Sequence, residues 1–206
     1  ASMERGGSFK QELGAGSFLK SSFNYNTGLI ADKFAFSTTL VKKTGEGIID
    51  KTWTDAYAYY LGSSYQMNNS NRFELYAIGA PQRHGQNLYK QNMSTYSQEL
   101  ATDTEGFDAT AFAAGEKFET EVGREFNQNW GAVDATYKGK QYWYMYGVGG
   151  LFGGGENQDR YNKDYLNERE NFFHKPLVNL NHYLTISNNM RLSSILYWSG
   201  GSGGGT

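Results

Sequence analysis

Cysteine is absent from this 206-residue chain, which excludes a disulfide framework and any thiolate zinc site. Its absence is compatible with cytoplasm, periplasm or outer membrane. Charge of one sign is not in excess either. Lys and Arg number 19 against 21 Asp and Glu, a formal net charge of -2 with a pI near 6.0. That leaves neither the basic footprint of a nucleic-acid binder nor a polybasic membrane-surface patch. No window approaches the roughly 20 consecutive apolar residues of a transmembrane helix. Residues 1–20 lack the basic start and apolar middle of a signal peptide, so the true N-terminus is expected to lie outside this sequence.

What is present is aromatic. Hydrophobic residues make up only 38% of the chain, yet 16% is Phe, Trp or Tyr, with 16 Tyr and 13 Phe, and the mean hydropathy is -0.66. A soluble core of this size would draw on Leu, Ile and Val. A membrane barrel wall instead needs a thin apolar outer face, a polar lumen and aromatic girdles at two interfaces, and its lipid face takes only every second residue.

Period-two alternation supports that reading. In residues 18–26, Leu19, Phe23 and Tyr25 share one face, and Lys20, Ser22, Asn24 and Asn26 the other. After 27–32 the pattern resumes with Phe34, Phe36, Thr38 and Leu40 opposed to Lys33, Ala35, Ser37 and Thr39, so the two segments are expected to form a hairpin. Tyr57, Tyr59, Leu61, Ser63 and Tyr65 alternate with small and polar residues. Beyond the turn at 68–71, Phe73, Leu75 and Ala77 oppose Arg72, Glu74 and Tyr76; charges on such a strand need water on one side. Alternation is lost over 79–171, then returns at 175–186 and 190–198. With a first strand around Phe9 to Leu13, about seven antiparallel strands are expected.

The connections fall into two sets. Those at 27–32, 68–71 and 187–189 are short. The alternate ones are 14–17, 43–52, 79–171 and the Gly-rich end from Ser199, of which only the first is tight. Outer-membrane barrels have short periplasmic turns and long extracellular loops on alternate ends. Seven strands cannot close around a lumen, and an open sheet in lipid leaves edge backbone groups unpaired, so the chain is expected to be part of a larger barrel. The Gly/Ser-rich end also has the composition of a flexible linker.

The stretches Asn24-Tyr25-Asn26-Thr27-Gly28-Leu29-Ile30, Thr44-Gly45-Glu46-Gly47-Ile48-Ile49-Asp50, Gly79-Ala80-Pro81-Gln82-Arg83-His84-Gly85-Gln86-Asn87 and Asn171-Phe172-Phe173-His174-Lys175-Pro176 resemble the first barrel strands and loops of TonB-dependent outer-membrane transporters. The likeness is to the branch with a carboxypeptidase-regulatory-like extension, related to SusC-like importers, and spans nearly the whole chain. It implies a 22-stranded barrel filled by an N-terminal plug, coupled to the TonB energy system and set in the lipid bilayer of the bacterial outer membrane. Possible partners are a SusD-like surface lipoprotein or other outer-membrane proteins. On that resemblance the plug and the remaining strands are expected to lie outside this sequence, and Met3-Glu4-Arg5-Gly6-Gly7 looks like the plug-to-barrel junction. The expected role is active import of a nutrient such as a glycan, peptide or metal chelate, with 79–171 as an extracellular recognition loop. Alternatives are a non-transporting outer-membrane scaffold and a soluble carbohydrate-binding β-sandwich.

Candidate ligand contacts follow from side-chain chemistry. Tyr142, Trp143, Tyr144 and Tyr146 could stack on sugars or pack on peptide side chains, although loop packing, or a strand extension above the membrane, is the more ordinary reason for them. Arg83, His84 and Gln86 could grip a polar ligand. His174 and His182 lack a third donor at metal-ligand spacing. The acidic runs Asp103, Glu105, Asp108 and Asp159, Asn162, Asp164 do not follow the calcium-loop pattern. The glycines of 147–155 are followed by no Lys-Ser or Lys-Thr. No nucleophile stands in a Gly-x-Ser-x-Gly turn, so neither enzyme activity nor a cofactor is expected.

Overall fold

The computed structural model describes residues 4–88, 93–108, 123–127, 129–131, 136, 140–145, 154–159 and 169–205. In chain order the elements are β1 (Gly6–Gly14), β2 (Phe18–Asn26), β3 (Phe34–Gly45), β4 (Thr54–Asn68), β5 (Asn71–Gly79), β6 (Gln82–Gly85), α1 (Met93–Tyr96), α2 (Gln98–Thr102), β7 (Lys140–Met145), β8 (Gly154–Asp159), β9 (Glu170–His174), β10 (Leu177–Ser187), β11 (Met190–Ser199) and β12 (Ser202–Gly205). The fold is all-β with almost no helix. Two compact units are present, the first containing Ala1–Gly47, Trp53–His84 and Glu170–Gly205, the second Ile48–Thr52 and Gly85–Arg169.

The first unit is an open antiparallel sheet in the order β1-β2-β3-β4-β5-β10-β11. These seven strands match the seven expected from alternation, including the β2–β3 hairpin. Strand β10 lies directly against β5, with Leu75 opposite Leu180, so everything between them in sequence is an insertion between spatial neighbours.

Register carries the alternation across the whole sheet, because directly paired residues share a face. One row runs Phe9, Phe23, Leu40, Tyr59. The next runs Tyr25, Thr38, Leu61, Ala77, Val178, Trp198, and a third Phe36, Ser63, Leu75, Leu180, Leu196. A fourth joins Phe34, Tyr65, Phe73 and His182, with Phe34 stacked on Tyr65 and Phe73 on His182 at centroid separations of 4.6 and 4.4 Å. From the row of Tyr57 to that of Tyr65 this face holds no Asp, Glu, Lys or Arg within the seven strands except Lys42, opposite Tyr57. On the opposite face the rows read Asn26, Ser37, Gly62, Tyr76, Asn179 and Ala35, Ser64, Glu74, Asn181. The apolar face is the exposed one: Phe36, Leu61 and Leu75 are 49%, 50% and 46% exposed, whereas Glu74 on the polar face is 7% exposed.

A transverse break crosses the sheet at one level. Beyond Gly79, opposite Tyr59, the chain passes Ala80-Pro81 and β6 replaces β5 beside β4, pairing His84 with Thr54. Lys175-Pro176 separates β9 from β10 and Gly200-Gly201 separates β11 from β12. The two prolines of the chain therefore both stand at the break, where a missing N–H costs no ladder bond. Their carbonyls still accept, Pro81 from Tyr57 N–H (2.8 Å) and Pro176 from Gly200 N–H (3.1 Å). Past the break β6 pairs β9 and β9 pairs β12.

The expected irregular loop at 79–171 is thus corrected. It contains β6, β7, β8, both short helices and the start of β9, segments too short or too polar to show a period. The Gly-rich end, expected to be an outer connection or linker, contains β12. Glycine gives no alternation to detect, and the strand needs it: a Cβ at Gly203 would lie 2.7 Å from the Phe172 carbonyl oxygen.

Gly79 is fixed by the same packing. Tyr59 lies across it and its hydroxyl meets His174 Nε2 at 3.0 Å; a Cβ at Gly79 would fall 2.5 Å from the Tyr59 hydroxyl and 2.8 Å from that nitrogen. Gly79→Ala is expected to break the Tyr59–His174 bond and cost about 1–3 kcal/mol by overpacking, read as a lower unfolding midpoint. Tyr59→Phe, which loses only the bond, should cost about 1 kcal/mol.

The second unit has a small core of its own, with Ala101, Phe126, Asn127 and Ser94 at most 1% exposed. Ser97 caps α2, its Oγ accepting from Leu100 N–H. Strands β7 and β8 form an antiparallel hairpin. Asn127 is the polar hub: its Nδ2 donates to the carbonyls of Asp50 (2.7 Å) and Gln86 (3.2 Å) while its Oδ1 accepts from Asn129 N–H (2.8 Å). One amide thereby ties the segments at 48–52, 85–88 and 123–131. Asn127→Ala is expected to cost about 2 kcal/mol, since two half-buried carbonyls and one buried N–H each lose a partner, and to speed proteolytic cleavage near Asp50 and Gln86.

Candidate functional site

The polar face of the first unit concentrates the chemistry. Glu74 on β5 is buried, accepts from the Tyr76 hydroxyl at 2.6 Å and pairs with Arg72 at 3.3 Å. Residues 72, 74 and 76 share this face because they are two apart on one strand. Arg72 lies over the Tyr183 ring, 4.7 Å from its centroid, and Tyr76 stacks on Tyr60 at 6.2 Å. The Tyr60 hydroxyl occupies the space a side chain at Gly62 would fill. Beside Tyr76 and Glu74 stand Asn179 and Asn181, whose buried side-chain oxygens find no hydrogen-bond partner among the described residues. The cluster is rich in acceptors and suited to a surface that brings hydrogen-bond donors. Across β2 and β3 the face continues as a network, with Thr39 Oγ1 donating to Asn24 Oδ1 at 2.7 Å.

On the apolar face the charges gather at one end. Lys42 sits over the Tyr57 ring, 3.6 Å from its centroid, and pairs with Asp55. Asp55 is directly opposite Arg83, which lies over Trp53 and pairs with Glu170, its Nε donating at 3.0 Å.

The expected ligand residues distribute as follows. Arg83 and His84 are consecutive on β6 and so point to opposite faces; Arg83 joins the belt of charges on the apolar side. In the second unit, Gln86 donates its N–H to the Arg169 carbonyl at 2.8 Å and its carbonyl accepts from Asn127. Tyr142, Trp143 and Tyr144 lie in β7, in register with Asn157, Glu156 and Gly155 of β8; Tyr146 lies outside the described residues. His174 is held by Tyr59, and His182 by Asn71 Oδ1 at 2.8 Å. Among the described residues no group of three His, Asp or Glu could hold a metal ion. Sequence reasoning did not single out the Arg72–Glu74–Tyr76 cluster as a site, although the charged half of that alternation was visible.

Comparisons with protein-family models, with curated proteins and with solved structures gave no match.

Proposed function

We propose that this chain is part of the wall of an outer-membrane TonB-dependent importer of a nutrient, its apolar face turned to lipid and its polar face to the lumen. The observation that carries the reading is the sorting of residues by face: a broad exposed apolar surface without carboxylates, backed by a polar face with a buried carboxylate. Contiguous exposed apolar patches of this extent mark interaction surfaces. From Tyr57 to Tyr65 is eight residues, about 27 Å along the strand, or about 21 Å of bilayer at a tilt near 40°, against an apolar band of about 25 Å in such barrels. Aromatic rows bound it, Tyr57 and Tyr59 at one end, Phe34, Tyr65 and Phe73 at the other.

The long insertion between β5 and β10 leaves from the end that carries the charge belt, as an extracellular recognition loop would. The acceptor-rich cluster around Glu74 suits the packing of a plug presenting donors. No helix among the described residues is long and apolar enough to cross a membrane.

The test has two stages. The intact native protein should require detergent for extraction and should fold into phospholipid vesicles, with tryptophan emission shifting to the blue. Recovery in detergent-free buffer would overturn the reading in favour of a soluble β-sandwich. Uptake that persists in cells whose TonB system is uncoupled would overturn the importer and leave the scaffold.

A further inference from the structure

The apolar face is not smooth. Along β2, β3 and β4 small residues form a floor between larger ones, giving two depressions in consecutive rows. One, of ≈ 390 Å³, is lined by Phe9, Ser21, Phe23, Leu40, Tyr59 and Lys42 among others. The other, of ≈ 360 Å³, has Thr38, Ser63 and Ala77 in its floor and Tyr25, Leu61 and Leu75 on its sides. Following one another down the sheet from Lys42, with no lining residue in common, they make an interrupted trough. Above that end, one row further, Asp55 stands between two cations, paired with Lys42 and directly opposite Arg83.

We infer that the Lys42 end of this trough is a binding site for a phosphorylated membrane lipid, with an acyl chain along Phe23, Leu40 and Tyr59 and the phosphate on Lys42 and Arg83. The inference rests on the membrane reading above and adds a ligand class to the lipid-facing surface. Three features select this occupant. The depression at the Lys42 end is lined by Phe9, Phe23, Leu40 and Tyr59, apolar side chains that suit a chain of methylenes. It ends at two cations, Lys42 in the row of Tyr57 and Arg83 one row beyond it, at the level of the interfacial aromatics where lipid headgroups sit. Those cations are a lysine and an arginine, the second offering the forked donor geometry that phosphate takes bidentately.

Asp55 and Glu170 hold the cations in the chain alone, and a phosphate must compete with them. Both pairs are accessible, with side-chain exposures of 37% and 50% for Lys42–Asp55 and 61% and 38% for Arg83–Glu170. Such pairs are weak, so a phosphate carrying more than one anionic oxygen can displace either carboxylate. Tyr57 beneath Lys42 keeps the ammonium at the trough end by its ring contact.

The experiment is native mass spectrometry of the intact protein in nonionic detergent, doped with equal amounts of dioleoyl phosphatidic acid or dioleoylglycerol, which share acyl chains and differ in the phosphate. Phosphatidic acid should be retained about tenfold more than dioleoylglycerol, the scale expected of two cations near a headgroup in competition with their own carboxylates. Lys42→Gln combined with Arg83→Gln should bring it down to the dioleoylglycerol level. Ser21→Trp, which fills the trough, should lower retention of both lipids. Arg191→Gln on the edge strand serves as the control for charge loss and should change neither. Equal retention of the two lipids, or full retention by the Lys42/Arg83 variant, would overturn the site and leave the barrel-wall reading standing. Recovery of the protein in detergent-free buffer without vesicle insertion would sink both.

Discussion

Leu75→Arg is expected to abolish stable insertion of the sheet into a bilayer, while Asn26→Arg leaves insertion intact. Leu75 lies in the row of Phe36, Ser63, Leu180 and Leu196, inside the apolar face and one row from its Phe34–Tyr65–Phe73 end. An arginine costs about 2–4 kcal/mol at the midplane of a barrel wall and less toward its interfaces; one row off the centre, a cost of about 2 kcal/mol is roughly thirtyfold in the folded fraction. Asn26 is on the polar face beside Ser37, where an arginine would meet water or lumen groups. A soluble protein would behave otherwise, because Leu75 is 46% exposed and substitutions at exposed positions usually stay within about 0.5 kcal/mol. Folding into vesicles, followed by protease protection, measures the difference. Equal insertion of both variants would contradict the assignment of faces.

The same pair shows what was legible in the sequence. The faces of β2, β3, β4, β5, β10 and β11 could be read from alternation because each strand sees different surroundings on its two sides, and that asymmetry is written at every second residue. The adjacency of β5 and β10 followed from regarding 79–171 as one insertion. Strands β6 and β9 were hidden because at four and five residues they are too short for a period to emerge, and β12 because glycine carries no polarity signal. Their positions are set by the break at Pro81, Pro176 and Gly200, a feature of three chain segments distant in sequence. The site was less legible still. Arg83 and His84 are adjacent in sequence and invite a joint reading, yet a strand sends neighbours to opposite faces. Glu74 and Tyr76 were seen as the polar half of an alternation, but that Asn179 and Asn181 stand beside them depends on register with a strand about a hundred residues away.

Glu74→Ala is expected to be the most destabilising substitution on the polar face, at about 2–4 kcal/mol. The carboxylate is 7% exposed and serves both Arg72 and the Tyr76 hydroxyl. Removing one member of a buried ion pair costs about 3–5 kcal/mol, reduced here because the Arg72 side chain is 45% exposed and can turn to water. For the same reason Arg72→Ala should cost less, about 1–2 kcal/mol even though it leaves the buried carboxylate with Tyr76 alone, since that hydroxyl still donates at 2.6 Å. Glu74→Gln keeps an acceptor for Tyr76 and should fall between them. Urea unfolding from vesicles, read by tryptophan emission, ranks the three. A double-mutant cycle with Tyr76→Phe isolates the hydroxyl bond, for which hydrogen bonds to charged groups give about 1.5–3 kcal/mol. Should Arg72→Ala cost as much as Glu74→Ala, the carboxylate would depend on the guanidinium rather than on the tyrosine. The cluster would then be an ion pair with an aromatic neighbour, not a carboxylate held by two donors.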